Sequence, residues 1–229
     1  MILSEVRTPL LQATDISHQY GSFRALAPIN LTLRAGEILV LEGPNGSGKS
    51  TLLLCLSGLL RPATGEVRVE GYDLYADERE AKRRIAFVPD VPRFYTELTA
   101  WEHLRFLAQA HDAMDGFDDR AEQLLKELDL WEARDLFPHL FSRGMSLKLG
   151  LAFALIRPFK VLLLDEPTSA LDEESTQLLI KRVSALREQG VGILLSTHDP
   201  GMKLGWADRV WTIRNGTLTG QKSLDGETE

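Results

Sequence analysis

One segment, Gly43-Pro44-Asn45-Gly46-Ser47-Gly48-Lys49-Ser50-Thr51, limits the possibilities for this chain more than any other. It follows the apolar run Ile38-Leu39-Val40-Leu41 and precedes a helical pattern carrying Leu52, Leu53 and Leu56. Glycines in that place let backbone N–H groups point into one concavity, and the helix that follows adds favourable potential for anionic oxygens. The spacing G-x-x-x-x-G-K-[ST] sends Lys49 to the terminal phosphates of a nucleotide and sets the Ser50 hydroxyl to ligate magnesium. The site these residues describe takes a nucleoside triphosphate. On its own the loop does not choose among kinases, GTPases and motors.

The organisation of the chain around that loop is strand, loop, helix. Short β-rich runs at 10–19 and 29–33 come first, then a turn at Arg34-Ala35-Gly36-Glu37 and the strand at 38–41. The helix from about Lys49 ends at Gly58, and 65–69 with Gly71 reads as a hairpin. The middle third changes character. Thr99-Ala100-Trp101-Glu102 is a capping box opening a helix with Leu104, Leu107 and Ala108 on one face, and a second helix carries Ala121, Leu124, Leu125 and Leu128. Beyond Ser142 come helix 145–156, strand 161–164, helix 173–188 ended by Gly190, and strand 193–196, βαβ units that imply a parallel sheet. Asn215-Gly216 marks a hairpin between 209–213 and 217–218. The pattern holds no internal repeat and no interdomain linker.

Composition excludes several alternatives. A formal net charge of -7 argues against a broad nucleic-acid surface, which needs clustered Lys and Arg. The one basic cluster, Arg79, Lys82, Arg83 and Arg84, alternates with Glu78 and Glu80 and reads as a solvated helix face. The single cysteine, Cys55, lies among leucines and reads as a buried thiol. Residues 1–11 lack the basic patch and apolar run of a signal peptide, and no stretch approaches the roughly 18 apolar residues that cross a bilayer. A soluble chain in a reducing cytoplasm is expected.

Val161-Leu162-Leu163-Leu164-Asp165-Glu166 is an apolar strand ending in two acids at the carboxyl edge of the sheet, where ligands bind. Asp165 is placed to hold magnesium, and Glu166 to accept a proton from an attacking water. Ser142-Arg143-Gly144-Met145 precedes this strand, Ser169-Ala170-Leu171-Asp172 follows it, and His198 lies beyond the next one. With these residues nearly the whole chain resembles an ABC ATPase, the ATP-binding subunit of an ABC transporter.

The resemblance implies a P-loop NTPase α/β fold with a mainly parallel sheet, an antiparallel β edge and an α-helical insertion. Residues 1–90 and 142–229 would form the catalytic core and 91–141 the helical subdomain. It implies ATP and Mg2+ as ligands and two subunits, identical or different, sandwiching two ATP molecules head to tail. Ser142 and Gly144 would then cap the γ-phosphate across the interface, Asp172 would bridge subunits, His198 would contact the γ-phosphate, and Tyr20 would stack on adenine. Separate transmembrane permease subunits would hold the protein on the cytoplasmic face of the membrane.

Two positions depart from the family's pattern. The signature, typically Leu-Ser-Gly-Gly-Gln, reads Phe141-Ser142-Arg143-Gly144-Met145, so the Arg143 guanidinium either adds a cross-subunit phosphate or ribose contact or turns to solvent. The usual glutamine after the strand at 85–88 is Asp90, a shorter group suited to magnesium or its water. Departures of this kind are similar to those of exporter subunits, so export is expected. Val91-Pro92-Arg93-Phe94-Tyr95 is the candidate contact with the membrane subunit, its Phe94 and Tyr95 serving either as anchors for a partner helix or as packing inside the helical subdomain. The alternative is a non-transport ABC ATPase of DNA maintenance or translation, although long coiled coils and paired ATPase domains do not fit this spacing. A small-molecule kinase is more distant.

Overall fold

The computed structural model describes residues 9–198 and 207–223, so most of the amino-terminal segment read for a signal peptide lies outside the described residues. Two sheets organise the chain. In the first, β1 (Pro9–Tyr20), β2 (Phe23–Arg34), β4 (Thr64–Val69) and β5 (Tyr72–Asp73) run in the antiparallel order β2-β1-β4-β5. In the second, β3 (Ile38–Glu42), β6 (Ile85–Val88), β7 (Val161–Leu164), β8 (Gly192–Thr197) and β9 (Arg209–Arg214) are parallel, and β10 (Thr217–Ser223) closes one edge antiparallel, in the order β10-β9-β3-β8-β7-β6.

The continuous apolar runs of β3 and β7 follow from burial on both faces, as parallel strands require. Side chains alternate between two cores. Leu39, Leu41 and Leu163 face a cluster with Leu52, Leu53, Cys55 and Leu56 of α1 (Lys49–Ser57) and the inner residues of β1, β2 and β4. Ile38, Val40, Leu162 and Leu164 face the opposite layer, built by Leu147, Leu151 and Ala154 of α5 (Arg143–Leu155) and Leu179, Val183 and Leu186 of α6 (Glu173–Glu188). Cys55 is fully buried in the first of these cores and its thiol is pushed up to about 12 by desolvation, in keeping with an inert packing residue.

A third cluster joins α3 (Ala100–Ala110) and α4 (Phe117–Glu127) to the far side of α5, through Leu104, Ala108, Ala121 and Leu125 against Leu149, Ala152 and Ile156. Helix α5 therefore belongs to both bodies. The capping box that starts α3 is present, with Thr99 Oγ1 accepting from the Glu102 backbone and Glu102 accepting from Thr99 N at 2.8 Å. The basic cluster forms the short helix α2 (Glu78–Arg83) and its end, where Lys82 pairs with Glu78 at 2.6 Å and Arg84 with Glu80 and Glu70 at 2.9 Å each. These cations are neutralised locally, as a solvated helix face requires.

Candidate functional site

The carboxyl ends of β3, β6, β7 and β8 each release one of the expected site segments, so one sheet edge gathers the glycine loop, Asp90, the acidic pair and His198. The glycine loop leaves β3 and closes through Gly48, whose backbone has φ of 109° and lies so close to Ala25 O that a Cβ would come within 2.8 Å. Only glycine fits there. The following residue, Lys49, begins α1 and is 5% exposed, its ammonium donating to Gly43 O at 2.7 Å and Pro44 O at 3.3 Å.

Glu166 sits one residue beyond Asp165 in a left-handed conformation, φ 49°, rare for a side chain of its size. That turn separates the two acids. Glu166 points into the cleft, where Oε1 is 3.2 Å from Lys49 Nζ as an ion pair, without the alignment of a hydrogen bond. Glu166 Oε2 receives the His198 backbone N–H at 3.2 Å and lies 2.8 Å from His198 Nδ1. Lysine, carboxylate and imidazole thus form one chain across the cleft.

Asp165 is buried, and burial raises its pKa against the opposing hydrogen bonds of Ser196 and Ser50, with the Glu166 and Asp90 charges raising it further. Ser196 was not marked by the sequence reading. Its hydroxyl donates to Asp165 Oδ1 at 2.6 Å and accepts from Glu166 N at 3.0 Å, fixing both acids from the neighbouring strand. A serine ending the strand next to an acidic strand end was the available signal.

Gly48, Lys49, Ser50 and Glu166 line an open cleft of about 380 Å3 together with Tyr20, Asn45, Gly46, Thr51 and Asp90, with Asp165, Ser196 and His198 behind or beside this lining. A second aromatic, Phe23, lines it too, because the tight turn at Gly21 pairs Tyr20 directly with Phe23. The cleft suits a nucleotide and a divalent cation at its two ends. Near the loop, Ser47 Oγ is buried without a partner beside the convergent backbone and Lys49, a setting for anionic oxygens. At the acidic end, burial chiefly raises the Asp165 pKa and the Glu166 and Asp90 charges add to it, so a cation beside Ser50 and Asp165 would favour the ionised carboxylate.

Ser142, Gly144 and Asp172 do not contribute to this lining. Ser142 caps α5, its Oγ accepting from Met145 N at 3.2 Å, and Asp172 caps α6, accepting from Ser175 N at 2.8 Å. Gly144 lies against the loop after β7, where a Cβ would meet Ala170 O at 3.0 Å. They sit at the N-termini of α5 and α6, outside the subunit's own cleft lining. Arg143 and Asp90 are engaged with each other, while the Arg143 side chain stays largely exposed and Asp90 partly so.

The sequence profile of the ABC transporter family matches residues 26–169. The SkfA peptide export ATP-binding protein SkfE of Bacillus subtilis (strain 168) is 34% identical over 91% of this chain and 87% of its own. The cobalt import ATP-binding protein CbiO of Rhodobacter capsulatus is 34% identical over 92% of this chain and 78% of its own. A dimeric ATP-binding cassette solved in a post-hydrolysis state with ADP and Pi superposes with a TM-score of 0.85, 26% identity, and coverage of 95% of this chain and 100% of that one. With its loop, acidic strand and rim helices in these places, this chain belongs to the ABC transporter family and is an ATP-binding, ATP-hydrolysing subunit.

Proposed function

We propose that the chain is the motor of an exporter, closing as a dimer on two ATP molecules and moving separate permease subunits as it opens and closes. The observation that carries the reading is the Lys49–Glu166–His198 chain, which sets a cation, a base and an imidazole in contact beside the glycine loop at the nucleotide cleft.

In this reading Tyr20 stacks on adenine, and the backbone of Gly43, Pro44, Asn45, Gly46, Ser47 and Gly48 cradles the phosphates with Lys49, Ser50 and Thr51. Ser50, Asp165 and Asp90 hold Mg2+, which neutralises charge on the phosphate oxygens. Glu166 takes the proton of the attacking water, and His198 holds the Glu166 carboxylate in position and contacts the γ-phosphate. Lys49 gives up its carbonyl partners for the phosphates. Ser142 and Gly144 of one subunit cap the ATP of the other, and Asp172 bridges the pair. ATP binds the closed state better than the open one, and that difference supplies the work.

Residues 91–141 act as the helical subdomain that meets the permease, and 1–90 with 142–229 as the catalytic core. Among the described residues no helix is long and apolar enough to cross a membrane, and in this reading the permease subunits hold the chain on the cytoplasmic face. Export is favoured by the signature and Asp90 departures and by a peptide-export relative, and a relative named for import makes direction the point to test. Co-expression with the adjacent permease gene, followed by ATP-dependent uptake into inside-out vesicles, is expected to show substrate accumulation. Accumulation in right-side-out vesicles instead would reverse the direction.

A further inference from the structure

Asp90 and Arg143, the two departures from the family pattern, touch. Arg143 Nη2 donates to Asp90 Oδ1 at 2.9 Å, Ser169 Oγ donates to the same oxygen at 2.7 Å, and Arg143 reaches Ser169 Oγ at 3.1 Å. Three motif segments from different strand ends are thereby tied in one ring: the turn after β6, the first residue of α5 and the loop after β7. The arrangement has an electrostatic reason. A cation in the first turn of a helix opposes the positive N-terminal potential, and the Asp90 carboxylate relieves it.

The tie is built to open. Arg143 is 59% exposed and Asp90 36% exposed, and ion pairs so close to water shift an equilibrium by only about two- to fivefold. The fold does not depend on it, because α5 is held by two apolar clusters and by its Ser142 cap. A terminal phosphate offers the same guanidinium denser negative charge and two acceptor oxygens, a stronger partner than one shared carboxylate oxygen.

We propose that Arg143 exchanges partners during the ATPase cycle. In the separate subunit it is bonded in cis to Asp90 and Ser169, and in the closed dimer it moves to the terminal phosphate of the ATP held by the opposing subunit. The inference rests on the ATP-sandwich reading above. The backbone need not move for the exchange, since Ser142 is held by its cap to Met145 N, and only the long Arg143 side chain swings. Asp90 is released by the same event. It borders the cleft on one side and opens the 91–95 segment on the other, so ATP-driven closure is signalled to both.

The test is a double-mutant cycle in a Glu166→Gln background, reading by light scattering the ATP concentration that gives half-maximal dimer. At saturating Mg2+, Asp90→Asn, which keeps one oxygen for the metal, is expected to lower that concentration about two- to fivefold, because ATP no longer displaces a carboxylate in either subunit. Arg143→Ala raises it, and the double variant matches Arg143→Ala alone. Raising the salt concentration narrows the gap between Asp90→Asn and its parent. An Asp90→Asn value at or above the parent, an Arg143→Ala value at or below it, or an Asp90 effect that persists undiminished without Arg143 overturns the exchange. A parent that forms no ATP-dependent dimer overturns both this inference and the sandwich reading, whereas a dimerising parent with no coupling overturns the exchange alone. Melting curves accompany each variant, and Arg143→Gln replaces Arg143→Ala if the latter melts early.

Discussion

Lys49 Nζ lies 3.2 Å from Glu166 Oε1 inside the nucleotide cleft, so the phosphate-binding cation and the proposed base neutralise one another across the space that a γ-phosphate would enter. Lys49 also spends donors on Gly43 O and Pro44 O. ATP entry must replace these contacts, which leaves the Glu166 carboxylate with His198 and free to face water.

From that relationship, Glu166→Gln is expected to keep ATP binding while slowing phosphate release by about 10^2- to 10^4-fold, the span of a lost general base. The amide keeps the length of the side chain but accepts no proton. Loss of the carboxylate charge beside Lys49 leaves the lysine more available to phosphates, so nucleotide affinity should hold or rise. A phosphate-release assay and a fluorescent-nucleotide titration check both halves, and a variant turning over at the parent rate would remove Glu166 from the role.

Ser196→Ala tests whether the acids need fixing from the neighbouring strand. The substitution leaves Asp165 Oδ1 without its 2.6 Å donor and Glu166 N without its acceptor, in a place where Ser196 is fully buried. Leaving buried polar groups unpaired costs about 1–3 kcal/mol, roughly a 2–10 °C drop in melting temperature for a chain of this size. Turnover should fall more than ATP affinity does, because the groups displaced serve the acids and not the glycine loop. Equal losses in both would assign Ser196 a purely structural role.

The ease of reading differed along the chain for physical reasons. The glycine loop, the capping box at Thr99 and the apolar strands were legible because each is a local pattern with a local cause. Ser196 and Ser169 were not, since their partners lie 31 and 79 residues away in sequence and only the order β8-β7-β6 brings them together. The Arg143–Asp90 pair escaped for the same reason. Each residue was weighed alone, as a phosphate contact and as a metal ligand, whereas a separation of 53 residues hides that each is the other's nearest counter-charge. Phe23 was passed over because β2 begins earlier than the apolar run at 29–33 suggested, and the turn at Gly21 folds it back beside Tyr20.

Acid should weaken the helical subdomain through His111. Burial lowers its pKa from 6.5 to about 4, and the nearby Arg157 and Arg83 guanidiniums push the same way, with Asp112 opposing. With a folded pKa below the unfolded one, the unfolded chain binds the extra proton, so stability is intact above about pH 6.5 and is lost as pH falls toward 4. The site is partly open to solvent, which limits the loss to on the order of 1 kcal/mol, about 2–4 °C in melting temperature. His111→Asn should flatten the melting temperature between pH 7 and 5 relative to the parent. An unchanged slope would place the titrating group elsewhere.

Phe94 and Tyr95, adjacent in the segment expected to meet the permease, have opposite surroundings, and that difference makes the docking assignment testable. Phe94 packs into the helical cluster, edge-on to Phe153 at 5.3 Å and to His103 at 5.8 Å. Tyr95 is 59% exposed, yet its backbone is pinned, because Tyr95 N donates to His103 Nε2 at 3.0 Å while His103 Nδ1 bonds Thr99 O at 2.8 Å. The imidazole is therefore neutral with its proton on Nδ1, and its lowered pKa follows from burial. A pinned loop with one ring in the core and the next exposed, resting on His103 at 6.0 Å and Phe106 at 5.8 Å, is what a partner-facing anchor needs. Phe94→Glu should lower the melting temperature of the isolated subunit by burying a charge among aromatics, at a cost of several kcal/mol. Tyr95→Glu should leave melting and basal ATP hydrolysis unchanged and reduce copurification with the permease at least tenfold. Retained association in a well-folded Tyr95→Glu variant would move the permease contact off this segment.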